Sequence, residues 1–489
     1  MNNGNNLKKG SLGLWTVVFF VVAAASPLTG VVGAMPLNFM LGNGAGVPGS
    51  FIVAALLLII FSFGFIAMSK YVVNAGAFYT YIVQGLGVGP GISGLSVAIL
   101  AYTAIQLSVT AMFGFFTQHL VVSHLGIDIS WWVYALAMQI VVILLGIARV
   151  EIGGKILGLL MILEVGIILL IDIAIFQKPI NFEFTSFQPS TIFTNHFGIS
   201  MVFAICSFIG FEAAAIYSEE CINPKKVVSR ATFIAVGLIA IFFVFTSWSF
   251  ILYSSSGAIV AIASKDPGMY VYDVATAVLG KWSVDVMSVL LLTSLFAATQ
   301  AFHNSLARYM YTISRDGLFW SKLSKTHAKH QTPYIASIVQ GIIIMMCIVV
   351  FAVMHFDPMI DIFSWCSAFG SMAILALQFG VSLAVISYFI KNKDLKVSMW
   401  SRLIAPTISS IGMAFILYLV IKNLDIMSGS NSPTIYIMPI VLFISIIAGL
   451  VTGAFLKKKH IDLYNNIYSR PLAKVVIASS SDLPVQRLS

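Results

Sequence analysis

Long apolar runs alternate with short polar loops through almost the whole chain. Twelve fall near 12–41, 51–69, 91–119, 131–148, 153–176, 197–217, 231–254, 284–312, 334–354, 360–390, 403–422 and 434–456. At ~1.5 Å rise per residue, about 20 residues cross the ~30 Å hydrocarbon layer of a bilayer, so each run predicts one membrane-spanning helix. The pattern divides the chain into an N-terminal segment 1–11, ten core helices over 12–390, two more over 403–456, and a basic tail 457–489 expected to be loosely ordered.

Two of the runs are interrupted. The first contains Ser26-Pro-Leu-Thr-Gly30, with Gly33 and Pro36 close behind, and the sixth contains Cys206-Ser-Phe-Ile-Gly210. Proline removes a backbone donor and clashes with the preceding turn, while glycine accepts non-helical dihedrals. The expectation is an unwound segment at 26–30 between half-helices 12–25 and 31–41, and a second break at 206–210. Helices one and six correspond if 12–176 and 197–390 form two inverted repeats of five. Matched interruptions of this kind point to a transporter's binding site.

Exposed helix ends supply the chemistry. A half-helix N-terminus offers unpaired N–H groups to a carboxylate, and a free C-terminal end offers carbonyls to an ammonium. Backbone groups of Thr29, Gly30, Val31 and Gly33 are the candidates for the carboxylate. Those of Ala25, Cys206, Ser207 and Phe208 are the candidates for the ammonium, with Ser26 and Gly210 completing the breaks. The competing reading, glycine and proline kinks in tightly packed helices, holds better for one break than for two matched ones.

Composition agrees with a membrane protein: 59% of residues are hydrophobic and only 9% charged, against about a quarter charged in soluble domains, and mean hydropathy is +0.98. The net charge of +9 is not a nucleic-acid signal, because of where it lies. With both termini cytoplasmic, every one of the 27 Lys and Arg residues except Lys178, Lys265, Lys281 and Lys422 falls inside, which fits the positive-inside rule and an even number of spans in the cytoplasmic membrane. Cys206, Cys221, Cys347 and Cys366 show neither a disulfide framework nor metal spacing. No cofactor is expected, and no nucleophile–base set or phosphate loop is visible. Gly85-Leu-Gly-Val-Gly-Pro-Gly91 lacks the phosphate-loop lysine and reads as a hinge-like loop.

Three motifs carry a family resemblance. Gly210-Phe-Glu with Glu219-Glu220 and Asn223-Pro224-Lys225, Ala75-Gly76-Ala77-Phe78-Tyr79-Thr80-Tyr81, and Asn304-Ser305, Arg308, Tyr311, Arg315-Asp316-Gly317 together resemble the amino acid–polyamine–organocation superfamily. The resemblance spans most of 12–420. It implies an all-α polytopic permease of twelve transmembrane helices, a LeuT-like five-plus-five inverted repeat plus two C-terminal helices, with substrate at the breaks. It also implies gating roles for Tyr102, Phe302 and Glu212, and it makes Cys206 stand where arginine/agmatine exchangers carry a tryptophan.

Few ionisable residues lie deep in the spans, and each one there asks for a reason. Glu164 is ~14 Å along the helix from Lys155, near the midplane. Relatives that resemble this helix carry a lysine near this point, so a carboxylate reads as a protonatable coupling site, with a structural acid as the alternative. Asp172 and Asp285 read as solvated near outer ends, and Arg308 and Lys70 as side chains that snorkel. Glu219 and Glu220 are expected to pair with Lys225, Lys226 or Arg230, and His303 reads as structural.

The leading functional reading is proton-coupled amino acid import by alternating access, the partners being an amino acid or related amine, protons and the lipid bilayer. An amino acid/amine antiporter is the alternative. A membrane-embedded enzyme or a receptor is more remote, since clustered catalytic groups and an appended output domain are both missing from the sequence.

Overall fold

The computed structural model describes residues 10–72, 76–148, 150–424 and 437–469, whose regular structure is helical apart from one bridge between Leu12 and Cys221. The expectations for 1–9, Val73–Ala75, 425–436 and 470–489 lie outside the described residues. Twelve helices correspond to the apolar runs: α1 (Leu14–Leu41), α2 (Gly44–Ser69), α3 (Val88–Leu125), α4 (Trp131–Ile147), α5 (Val150–Gln177), α6 (Phe197–Cys206), α7 (Pro224–Ser254), α8 (Trp282–Arg315), α9 (Tyr334–Val353), α10 (Asp361–Lys391), α11 (Trp400–Lys422) and α12 (Ile437–Lys459). Among the described residues, ten of them, all but α4 and α6, are long and apolar enough to cross a membrane.

The break in α1 is narrower than the sequence implies. Helix runs to Ala25, Ser26 adopts φ 49° and ψ 69°, and Pro27 starts the next turn. Proline fits there because the first position of a helix needs no N–H. Residues 30–34 continue in wide π turns, and the Gly30 N–H donates to the Ser26 carbonyl at 3.0 Å. The unwound stretch expected over 26–30 is therefore a single left-handed residue. In the sixth run the opposite holds: α6 stops at Cys206, turns occupy 207–212, and helix resumes at Ala213–Ile216. Gly210 carries the turn at φ 106°, a conformation that side chains resist.

Three other expectations change. The glycine-rich loop is a one-residue turn at Gly87 (φ 104°) between a helix at Ala77–Leu86 and α3. The tail begins with a helix, Ile461–Ser469, held to the Ala77–Leu86 helix by Gln84 Nε2 donating to the Tyr468 carbonyl at 2.8 Å. Asp172 is not solvated: it is fully buried and accepts hydrogen bonds from Thr246 Oγ1 (2.8 Å) and Ser249 Oγ (2.5 Å), because α5 packs against α7 at this level. Asp285, by contrast, is exposed, 3.6 Å from His124.

Candidate functional site

The two breaks meet. A Cβ placed on Gly210 would lie 2.6 Å from the Ala24 Cβ, so the turn after α6 packs directly on α1 beside Ser26. Around this contact lies a cavity of about 120 Å³ walled by α1, α3, α6, α8 and α10. Ser26, Thr29, Gly30, Cys206 and Ser207 line it, as does Ala25. Val31, Phe208, Gly33 and Gly210 do not. Val31 and Phe208 are buried in helix packing, Gly33 backs onto Met112, and Gly210 onto Ala24.

Ser108 on α3 and Ser367 and Ser371 on α10 also reach the cavity, and Ser371 Oγ donates to Cys206 Sγ at 3.1 Å. None of these was legible from sequence, where only a hydroxyl inside an apolar run marks them and helix rotation is unknown. Among the described residues no charged side chain lines the cavity.

At the break, Ser26 Oγ donates to Thr29 Oγ1 (2.7 Å) and shares a 2.8 Å hydrogen bond with Ser294 Oγ of α8. The half-helix from Pro27 starts with the N–H groups of Leu28 and Thr29, whose carbonyl partners would lie upstream of the break. On the α6 side the Cys206 and Phe208 carbonyls accept from Ile209 (3.1 Å) and Phe211 (3.2 Å); of the two, only Cys206 lines the cavity, and its oxygen keeps one lone pair.

Gly30 has a second task. A Cβ there would sit 2.5 Å from Cζ and 2.8 Å from Cε1 of Phe243, whose ring is stacked on Phe51 at 5.0 Å. Glycine is required by the α1–α7 packing and not only by approach of a ligand. Gly30→Ala is expected to destabilise the protein by about 1–3 kcal/mol through overpacking, and Phe243→Leu in the same chain should restore part of the loss in a thermal melt. An unshifted melt for Gly30→Ala would refute this packing role.

Beyond the cavity lies a closed end. Phe302 lines the cavity, with Tyr102 behind it at 6.0 Å between ring centroids. Tyr102 Oη donates to Glu212 Oε1 at 2.5 Å, and the Gly210 N–H donates to Glu212 Oε2 at 3.1 Å, so this carboxylate braces the second break. Further along, Arg308 Nε donates to Glu220 Oε1 at 2.6 Å with both residues buried, and its guanidinium lies 4.5 Å from the Tyr217 ring. Arg315 holds Glu219 through two bonds of 2.8 and 3.0 Å. The expected partners Lys225 and Lys226 instead point to solvent, since the turn Ser218–Glu220 folds back onto α8 and Asn223 starts α7 afresh. Arg308 therefore does not snorkel. The Ser11 and Leu12 N–H groups donate to the Glu220 carbonyl, and Tyr79 Oη donates to Asp316 at 3.0 Å. All three sequence motifs thus meet at this end.

Glu164 is 2% exposed and faces the Thr293 and Ser294 hydroxyls of α8. Its Oε1 has no partner among the described residues. Because Ser294 also bonds Ser26, Glu164 is one hydroxyl away from the α1 break. His303 lies elsewhere, 2.6 Å from Ser337 Oγ and 3.5 Å from Gln139 Nε2. Among the described residues no group of three His, Cys, Asp or Glu side chains could hold a metal ion.

Comparison with known proteins agrees with this geometry. The family described as amino acid permease matches residues 12–455. The chain is 26% identical over 324 residues to the branched-chain amino acid permease BcaP of Bacillus subtilis, covering 60% of this chain and 65% of that protein. Against the low-affinity putrescine importer PlaP of Escherichia coli it is 31% identical over 196 residues, 39% of this chain and 40% of that protein. It is 26% identical over 336 residues to the L-lysine transport protein of Corynebacterium glutamicum, 65% of this chain and 64% of that protein. The matches thus span between two fifths and two thirds of the relatives' own lengths. With a family match over nearly the whole described chain, ten helices of membrane-spanning length and a cavity at two helix breaks, the chain belongs to the amino acid permease family of multi-pass membrane transporters and is not an enzyme.

Proposed function

We propose that this protein imports neutral amino acids across the cytoplasmic membrane by proton symport, with alternating access around the α1 and α6 breaks. The observation that carries the reading is the cavity lining: two helix ends, several hydroxyls and, among the described residues, no charged side chain. A zwitterion brings the two charges that broken helix ends complement. Lysine or a diamine brings a further ammonium, and a buried charge without a partner costs several kcal/mol. Glu212 is not placed to meet it, since it braces the α6 break through Tyr102 and Gly210 and is not among the residues that line the cavity. Among the relatives, the lining favours the branched-chain permease over the putrescine importer.

In this reading α1–α5 and α6–α10 are the inverted repeats, α11 and α12 follow, and both termini are cytoplasmic. The cavity runs from the breaks toward Leu37 and Val202, which this orientation makes the outer side, while the Glu220–Arg308 pair closes the inner side. Thr29 and its N–H bind the carboxylate, and carbonyls at Ala25 and Cys206 bind the ammonium. Phe302, Tyr102 and Glu212 gate, and Glu164 carries the proton.

A binding scan of the twenty amino acids and putrescine on purified protein tests the substrate class. Neutral side chains should bind roughly a hundredfold tighter than lysine or putrescine, a difference of about 2.7 kcal/mol. Tightest binding of lysine or putrescine would overturn it. Uptake into empty proteoliposomes under an acid-outside gradient tests symport; uptake only into substrate-loaded vesicles would replace it with exchange.

A further inference from the structure

A second cavity, of about 300 Å³, lies at the end of the bundle that carries the Glu220–Arg308 pair, where α2, α7 and the α10–α11 loop converge. Lys70, from the end of α2, and Lys396, from the loop, line it together with the hydroxyls of Ser229, Ser398 and Ser401. Phe63, Ile66 and Phe233 supply much of its apolar lining. Lys393 and Arg402 line a neighbouring cavity formed by the α10–α11 segment. Among the described residues no carboxylate lines either one, and Asp394, on the same loop, is exposed. Among the described residues no acid pairs with Lys70 or Lys396.

We propose that this pocket binds the phosphate of an anionic phospholipid. Charge complementarity carries the argument: two ammonium groups from separate elements line one cavity together with three hydroxyls, and no acid among the described residues lines it to neutralise them. The surroundings select a lipid rather than a soluble anion. Trp400, Met399 and Ile404 at the start of α11 are exposed large hydrophobics, and Trp400 packs edge-on to Phe63 at 6.0 Å. A phosphate held by Lys70 and Lys396 leaves its acyl chains to run down this apolar surface. Basic pockets between transmembrane helices are a known way of holding lipid headgroups. Such a lipid would join the end of α2, the start of α7 and the α10–α11 loop, three elements that have no salt bridge to one another among the described residues.

The experiment compares phosphatidylglycerol with phosphatidylcholine on the full-length protein, reading retained lipid by native mass spectrometry and the thermal midpoint in mixed micelles. The wild-type protein should retain phosphatidylglycerol preferentially and melt at higher temperature with it. Lys70→Gln/Lys396→Gln should lose that preference, each lysine being worth roughly fivefold in partition. Lys322→Gln/Lys325→Gln removes the same charge at another exposed site at the same end and should keep it. Both lysine pairs are surface residues, so folding is not at stake. The proposal is overturned by equal retention of the two lipids, by equal loss in both double variants, or by millimolar inorganic phosphate displacing the bound lipid.

Discussion

Glu164→Gln should bind substrate and exchange it across the membrane, yet lose accumulation driven by a pH gradient. A one-unit gradient is worth ~1.4 kcal/mol per proton, about tenfold accumulation at one proton per substrate, so the expected change is from about tenfold to none. The glutamine keeps the volume of the side chain and fixes it in a neutral form. The geometry behind the expectation is short: Glu164 faces Ser294, Ser294 bonds Ser26, and Ser26 bonds Thr29 at the cavity wall. A change of charge at Glu164 would be felt at Thr29 through two hydroxyls, those of Ser294 and Ser26. An unpartnered, buried carboxylate oxygen also needs a proton or a cation to be tolerated there. Parent-like accumulation by Glu164→Gln would make Glu164 a structural acid. A sodium requirement without pH dependence would make it an ion ligand.

How much of this was legible depended on whether the signal was local. Span positions follow from composition over twenty residues, and each of the twelve apolar runs is helical over most of its described length. Breaks follow from proline and glycine, which act on their own backbone. The proline in α1 marked the break to within a residue, although its length was overestimated because Gly30 rejoins the ladder through the Ser26 carbonyl. Partners were a different matter. Asp172 read as solvated because the sequence does not say that Thr246 and Ser249 of α7 face it. Arg308 read as a snorkelling side chain because its partner, Glu220, is 88 residues away. The same limit hid Ser108 and Ser371: a serine in an apolar run shows its depth but not its direction. The short helices Ala77–Leu86 and Tyr270–Leu279 were missed for a third reason, since ten residues lie below the length at which the span pattern speaks.

Arg308→Ala should open the end of the bundle that wild-type protein keeps shut. The substitution leaves Glu220 buried at 3% exposure without its cation, and breaking a buried pair from one side costs about 3–5 kcal/mol. That penalty falls on the conformation in which the pair is formed, so the balance moves toward conformations that expose Glu220 to water, by a factor on the order of a hundred or more. A native reporter exists. Cys206 lines the cavity and is partly exposed, so a small impermeant thiosulfonate reaches it from the open side only. In a chain carrying Cys221→Ser, Cys347→Ser and Cys366→Ser, labelling of Cys206 in oriented vesicles should come from the Leu37 side in the parent and from the Glu220 side after Arg308→Ala. Substrate should protect it in both. The double change Glu220→Gln/Arg308→Ala separates the lock from the fold: with no charge left stranded, the thermal midpoint should recover toward the parent while labelling from the Glu220 side persists. Labelling confined to the Leu37 side in both variants would show that the pair holds the structure together without closing the pathway.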